Sequence, residues 1–261
     1  MKTLRKILSF FFIVYFALFP FVAHAANTNS IDLEATSSQY INRALAGSTN
    51  LDNITSSFTL EFWVKPEALT TDMTMGGVTN RSGADGGYFC RFLQPTTLDC
   101  KYVSSGSDIA TQASSQLTAG VWTHVAFVHN NTTDEDILYV DGTAVTTNTG
   151  RTGNPTAAVH AFRVGARSDV ASDYWDGLVD EVRFWNVART ATEITNNKSV
   201  ELVGNETGLQ LYYKLVSDAS DETANNNDGT LVNAPSFSTD VPFGGAAANN
   251  NGAAFTMGMS F

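Results

Sequence analysis

The side chains with the most chemical potential stand in one run, Gly177-Leu178-Val179-Asp180-Glu181-Val182-Arg183-Phe184-Trp185. Strict alternation along it puts Leu178, Asp180, Val182 and Phe184 on one face. Val179, Glu181, Arg183 and Trp185 take the other. Asp180 then sits in an apolar row, where a carboxylate needs a cation, a metal or several donors. A second run, Phe58 to Pro66, offers a similar polar row of Thr59, Glu61, Trp63 and Lys65. Indole faces stack on sugar rings, and charged groups bond hydroxyls. Glu61, Trp63, Glu181, Arg183 and Trp185 therefore form one candidate ligand face. The competing reading pairs these acids and bases with their neighbours and leaves the indoles half in the core. Two loops are further candidates: 72–87 with Asn80 and Arg81, and 168–176 with Tyr174 and Trp175. Their plain reading is solvated connection.

Catalysis finds little support. Asp180 and Glu181 are adjacent, so on a regular strand they point to opposite faces. Glycan hydrolysis needs two carboxylates roughly 5–10 Å apart. His124 and His129 fall on opposite faces of one strand and lack a nucleophile motif; no Gly-x-Ser-x-Gly occurs. The expectation is a protein that is not an enzyme. Cys90 and Cys100 flank Gln94-Pro95-Thr96-Thr97 symmetrically, as cysteines facing each other across a hairpin would. In an oxidising compartment they form a disulfide.

Such residues need a frame. Lys2, Arg5 and Lys6, then apolar Ile7 to Val22, then Ala23-His24-Ala25 read as a signal peptide over 1–25. The alternative is an uncleaved anchor, for which the apolar run is short. No later segment is long and apolar enough to span a bilayer, so the chain is expected to be secreted or displayed at the cell surface. The net charge is −11, and the leader removes three cations and no acids, leaving about −14. That balance disfavours nucleic acid and anionic lipid as partners, since those need basic patches. Divalent cations are not.

Beyond the leader, short alternating runs separated by Gly, Asn, Asp, Ser and Thr clusters predict an all-β sandwich or jelly roll. Strands are expected at 30–34, 40–41, 58–66, 75–78, 88–93, 98–103, 120–129, 136–140, 143–145, 161–165, 177–185, 209–215 and 230–232. Asp141-Gly142 marks a tight hairpin. Arg189 to Ile194 predicts a single short helix near 190–197, with Thr190 as N-cap and Glu193 closing the capping box. Residues 244–261 read as a Gly/Ala/Asn-rich tail. Its last residues, Phe255 to Phe261, have three readings: the first strand of a further domain, a segment packed on the sandwich edge, or a mimic of the aromatic C-terminal strand of outer-membrane barrels, which one strand cannot form alone; the expectation is an incompletely ordered tail or a fragment boundary.

Several of these stretches share one resemblance. "WTHVAFVHNNTTDEDILYVDGTAV", "FRVGARSDVASDYWDGLVDEVRFWNVARTATEI", "SIDLEATSSQYI", "FTLEFWVKP" and "GLQLYYKLVSDASDETANNNDGTLVNAPSF" resemble, in order, segments of laminin-G-like domains. The resemblance implies one antiparallel two-sheet jelly-roll sandwich of the concanavalin-A-like, pentraxin-related type over 28–243. It implies extracellular binding of glycan or protein ligands, often supported by calcium. A structural calcium would then use Asp180, with Glu34 or a nearby carbonyl as partner. Glu34-Ala35 stands where the family often has Asp-Gly, and Ser37-Ser38 where it often has acids. Two further roles are compatible with the resemblance: a structural or adhesion domain of a larger surface protein, and a degenerate glycan hydrolase.

Overall fold

The computed structural model describes residues 27–43, 51, 54, 56–78, 86–158 and 160–243. The expected leader (1–25) and tail (244–261), and the candidate residues Asn80 and Arg81, lie outside the described residues. None of the helices among those residues is long and apolar enough to cross a membrane.

The strands are β1 (Ser30–Leu33), β2 (Tyr40–Arg43), β3 (Phe58–Pro66), β4 (Met73–Val78), β5 (Tyr88–Leu93), β6 (Thr97–Ser104), β7 (Ser107–Ser114) and β8 (Thr123–Asn130). They continue as β9 (Glu135–Val140), β10 (Thr143–Thr149), β11 (Phe162–Val164), β12 (Gly177–Trp185), β13 (Leu209–Tyr213), β14 (Thr230–Val232) and β15 (Ser236–Ser238). The helix α1 (Ala191–Asn197) lies between β12 and β13. Its capping box is formed as expected: Glu193 N donates to Thr190 Oγ1 at 3.3 Å, and Thr190 N donates to Glu193 Oε2 at 2.8 Å.

Two antiparallel sheets form the sandwich. The eight-stranded sheet runs β10-β9-β8-β3-β12-β1-β15, with β13 also pairing β12. The seven-stranded sheet runs β14-β2-β11-β4-β5-β6-β7. Their facing sides meet in one apolar core. Phe58, Leu60, Phe62 and Val64 of β3 pack against residues such as Met75, Tyr88, Phe92 and Phe162 from the opposite sheet. Phe58 is the hub: its ring lies within 6.2 Å, centroid to centroid, of Tyr88, Tyr102, Phe127, His129 and Phe184. At one end the sheets lean together. Thr146 Oγ1 on β10 donates to the Gln112 carbonyl of β7 at 2.8 Å, and Asn148 Nδ2 donates to Thr111 Oγ1 at 3.1 Å.

The predicted hairpin and its disulfide are both present. Cys90 and Cys100 are directly opposed on β5 and β6, bonded, and fully buried on the core side. Closing a loop of 10 residues by a covalent bond restricts the unfolded chain by about 2–3 kcal/mol. The Cys90→Ala/Cys100→Ala double variant is expected to melt about 4–12 °C lower in scanning calorimetry. An unchanged melting temperature would show that the hairpin is fixed by its own pairing.

Candidate functional site

The candidate residues of β12 are arranged by a bulge. Asp180 pairs with Trp63 of β3, but the next partners are Arg183 and Glu61, so Glu181 and Val182 together face Phe62. Glu181 takes the left-handed conformation, φ 51°. The extra residue shifts the phase of the strand. Val179, Val182 and Phe184 enter the core, while Leu178, Asp180, Glu181, Arg183 and Trp185 occupy the outer side. This corrects the strict alternation expected from sequence. Asp180 is not on the core row, and Asp180 and Glu181 do not point apart: both meet the Asn27 carboxamide.

The outer side of the eight-stranded sheet is closed. Helix α1 and the chain around 197–203 lie over it, and Glu61, Trp63, Glu181, Arg183 and Trp185 are all buried. Arg183 Nη2 donates to Glu181 Oε2 at 2.5 Å and to the Val200 carbonyl at 2.7 Å, while Nη1 donates to the Asn197 carbonyl at 2.9 Å. Tyr212 Oη donates to Glu181, with 2.7 Å to Oε2. Trp185 Nε1 donates to Glu61 Oε1 at 2.6 Å, and His124 Nε2 stands 3.2 Å from Glu61 Oε2. Trp63 Nε1 donates to the Lys198 carbonyl at 2.5 Å. The row expected as an open ligand face is a polar seam that fastens the covering segment. Its groups point into that segment because the segment supplies the carbonyl acceptors that their donors require.

The two residues expected to share a metal are also separated. Leu33 is opposite Gly177, so Glu34 falls beyond the far end of β12, near Asp176. Asp180 is four residues along from that point, about 13 Å on a strand. One ion cannot bridge that distance. Glu34 instead gathers with Asp32 and Glu67, their oxygens within 4.8 Å of one another. Burial first, then the charges of Glu34, Asp176 and Asp32, raises the Glu67 carboxyl above the usual range. A cleft of about 220 Å³ beside this cluster is lined by Asp32, Lys65, Glu67 and Asp240, among others. Of the loop residues, Trp175 is fully buried in the core. Tyr174 is half-buried, with its ring 6.2 Å from Tyr40 and its hydroxyl donating to the Ala171 carbonyl at 2.9 Å.

The outer side of the seven-stranded sheet is built differently. On β5, Tyr88, Cys90 and Phe92 face the core, which sends Phe89 and Arg91 outward. Register then places Asp99 of β6 and Gln112 of β7 in line with Arg91. Arg91 Nε donates to Asp99 Oδ2 at 2.8 Å and Gln112 Nε2 to Asp99 Oδ1 at 2.9 Å, so both carboxylate oxygens are held. The neighbouring row reads Asn42, Arg163, Gly77, Phe89 and Lys101 across five strands. Arg91 and Lys101 flank the Phe89 ring at 5.5 and 5.1 Å. Arg163 donates to Asn42 Oδ1 at 3.0 Å and to the Arg167 carbonyl at 2.5 Å, and stacks on Tyr40 at 4.8 Å. Gly77, at φ 124°, is the low point of the row; a side chain there would strike the Tyr88 carbonyl at 2.2 Å. Gln112 is exposed, and Arg91, Arg163, Tyr40 and Asn42 are half-buried. No helix lies over this face among the described residues. Its reachable donors and acceptors are those of Gln112, Arg91, Arg163 and Asn42, held in place by Asp99, Phe89 and Lys101, which are buried.

Residues 35–195 match the profile of the concanavalin A-like lectin/glucanases superfamily, in its laminin-G form. The chain belongs to that superfamily. Among solved structures, this concanavalin A-like domain is similar to a candidate carbohydrate binding protein of Bacteroides ovatus, at 20% identity and TM-score 0.63. That match covers 82% of this chain and 60% of the Bacteroides protein, so the chain spans well under the full length of that relative. A heptameric SAP-like pentraxin of Limulus polyphemus matches at 13% identity and TM-score 0.55, over 81% of this chain and 94% of its own. The CBM40 of the Ruminococcus gnavus IT-sialidase, solved with α2,3-sialyllactose, matches at 10% identity and TM-score 0.50, over 64% of this chain and 94% of its own. At these identities the likenesses establish the shared concanavalin A-like fold. No curated protein matches the sequence.

Proposed function

We propose that this concanavalin A-like domain is a secreted, non-catalytic recognition module that binds glycans on the outer face of its seven-stranded sheet. The observation that carries the reading is the cross-strand row Arg91, Asp99 and Gln112, with Arg163 and Asn42 beside it. A carboxylate pinned by a guanidinium and a carboxamide leaves each partner with spare donors or acceptors in fixed directions. Sugar hydroxyls, which both donate and accept, suit such a surface. The sialyllactose bound to the Ruminococcus module, and the description of the Bacteroides protein as a candidate carbohydrate binder, support the same reading on the same fold. Catalysis is not part of it. Asp99 is engaged at both oxygens, and Asp108 of β7, which stands opposite Val103 of β6, is paired with Lys101. Neither carboxylate is free to carry a proton to a glycosidic oxygen.

The test is a glycan-array screen of the secreted protein, run in calcium and in chelator, followed by calorimetry on any ligand found. Arg91→Ala and Arg163→Ala are each expected to weaken binding by about 10–100-fold, the usual worth of one charged hydrogen-bonding group. Unaltered circular dichroism would show that the fold is intact. Silence on the array in both conditions would overturn the glycan reading. Binding that neither substitution changes would remove this face as the site. Binding that needs calcium would add the ion that the family resemblance implies.

A further inference from the structure

The outer face of the seven-stranded sheet is lopsided in the polar groups it leaves unused. Arg91 commits only Nε, to Asp99 Oδ2, and keeps both Nη groups. Arg163 is held through Nε by Asn42 Oδ1 and through Nη1 by the Arg167 carbonyl, with its guanidinium carbon 4.8 Å from the centre of the Tyr40 ring; Nη2 remains. Asn42 spends its oxygen on that contact and keeps Nδ2. Against these four nitrogens stands one spare side-chain acceptor, Gln112 Oε1, since Gln112 Nε2 is given to Asp99. Asp99 itself is buried, with both oxygens taken. The Tyr40 hydroxyl serves in either sense and does not alter the balance. None of the four nitrogens is a buried atom lacking a partner, and all belong to half-buried side chains, so each is open to solvent. The charges tilt the same way. Arg91 is paired with Asp99, Lys101 with Asp108 and Arg167 with Asp169, and Asp173 also lies 3.9 Å from Arg167. Among the described residues no carboxylate is ion-paired with Arg163, whose partners are all neutral groups.

We propose that the glycan taken by this face is an acidic one, whose sugar carboxylates are received by the Arg163 and Arg91 guanidiniums. The inference rests on the reading of this face as the glycan site and narrows its ligand class. A neutral sugar brings a hydroxyl donor with every hydroxyl acceptor, and on this face most of those donors would find nothing to accept them. A carboxylate brings acceptors alone, and the paired N–H groups at the end of a guanidinium match its two oxygens. The two arginines act apart. Arg163 and Phe89 share a row two strands apart, and Arg91 lies two residues beyond Phe89, which puts the arginine Cα atoms about 12 Å from each other. Arg163 leans toward Tyr40 on β2 and Arg91 toward Asp99 on β6, in opposite directions. Each therefore forms its own subsite. A chain with acid on several sugars engages both, whereas a single terminal acid engages one. The net charge of −11 does not oppose this, because exposed charges farther than about 8 Å are largely screened at physiological salt.

The experiment is titration calorimetry on the full chain with matched probes. Trigalacturonate is compared with the same trisaccharide after reduction of its carboxyls to alcohols, and sialyllactose with its carboxyl-reduced form. The acid member of at least one pair is expected to bind about 10–100-fold more tightly than its reduced partner, the usual worth of hydrogen bonds to a charged group. Raising sodium chloride from about 0.05 to 0.5 M is expected to shrink that ratio, since screening acts on the charge and not on the hydroxyls. Arg163→Gln is expected to lower it by about tenfold, and Arg91→Gln to lower it further for trigalacturonate. The pair that responds tells whether the carboxylate comes from a uronic acid within a chain or from a terminal sialic acid. Circular dichroism of each variant guards against loss of the fold. Neutral and reduced glycans binding as tightly as their acid counterparts would overturn this inference and leave the glycan reading standing. A preference for acid that survives both substitutions in folded protein would overturn it too, by placing the carboxylate elsewhere. Silence toward every probe, here and on the array, would overturn both.

Discussion

Arg183→Ala is expected to lower the unfolding free energy by about 3–5 kcal/mol, the usual result of stranding one member of a buried ion pair. The side chain is 1% exposed, and it donates to three acceptors, Glu181 and the Asn197 and Val200 carbonyls. Glu181 would keep only Tyr212 and Asn27, and its carboxyl, already raised chiefly by burial, would lose the guanidinium that opposes the rise. The Val200 carbonyl would lose the guanidinium as donor in the same step, and the Asn197 carbonyl would keep the Val200 N–H at 3.1 Å. Arg183→Lys should recover little, because an ammonium cannot reach three acceptors in one plane. The paired change Glu181→Gln/Arg183→Met should cost much less than Arg183→Ala alone, since it removes the charge together with its partner. Urea unfolding monitored by tryptophan fluorescence reads all three. A loss below about 1 kcal/mol for Arg183→Ala would show that the covering segment is held by its apolar contacts, Ile194 and Leu202, instead.

His129→Phe is expected to be of similar size for a different reason. His129 Nδ1 and Asp136 Oδ1 are 2.8 Å apart, and both side chains are wholly buried at the core side of β8 and β9. The ring sits 4.4 Å from Tyr102 and 5.7 Å from Phe58, a slot that phenylalanine fills without a cavity. What it cannot do is bond Asp136. That carboxylate would retain only Arg151, whose Nε stands 3.6 Å away on a partly exposed side chain. A loss of about 3–5 kcal/mol is expected from the stranded acid. Adding Asp136→Leu should restore most of it, giving a coupling energy of about 2 kcal/mol or more in a double-mutant cycle. Equal destabilisation by the single and double variants would mean that shape, not charge, carries this position.

The elements were legible where local rules decide them. The helix was readable because Thr190 and Glu193 act within one turn. The disulfide hairpin was readable because Cys90 and Cys100 sit symmetrically about a turn. The fold was readable because several segments in order match one superfamily. The bulge was not readable. Glu181 adopts a positive φ without being glycine or asparagine, so nothing local marks where the alternation slips. Once the phase slipped, the face assignment failed for every residue around it. The expected ligand row failed for a second reason. Trp63, Arg183 and Trp185 look like a binding surface until the chain at 186–203 is laid over them, and that packing is long-range. The converse held on the other sheet. Arg91, Asp99, Gln112 and Arg163 come from four strands, three of them within one meander, and only register brings them into line. Alternation of Phe89 and Arg91 against Tyr88, Cys90 and Phe92 was the one available signal, and β7 itself escaped the sequence reading because Ser107 to Ser114 has little apolar content.

The leaning of the two sheets at β7 and β10 has a consequence for the molecule's behaviour in a crowd. A sandwich that is not a closed barrel has border strands whose unpaired amides and carbonyls invite a strand from another molecule. Here two such borders are turned toward each other. Side chains from β10 and the chain just beyond it cap carbonyls of β7 at Gln112 and, through Arg151, at Ala110. An incoming strand would have to displace these caps and enter a gap already occupied by threonine and asparagine side chains. β10 itself is rich in threonine and largely exposed, a poor template for apolar stacking. The sandwich thereby shields one end from intermolecular sheet extension, which leaves β13, β14 and β15 as the border strands among the described residues at which self-association would begin.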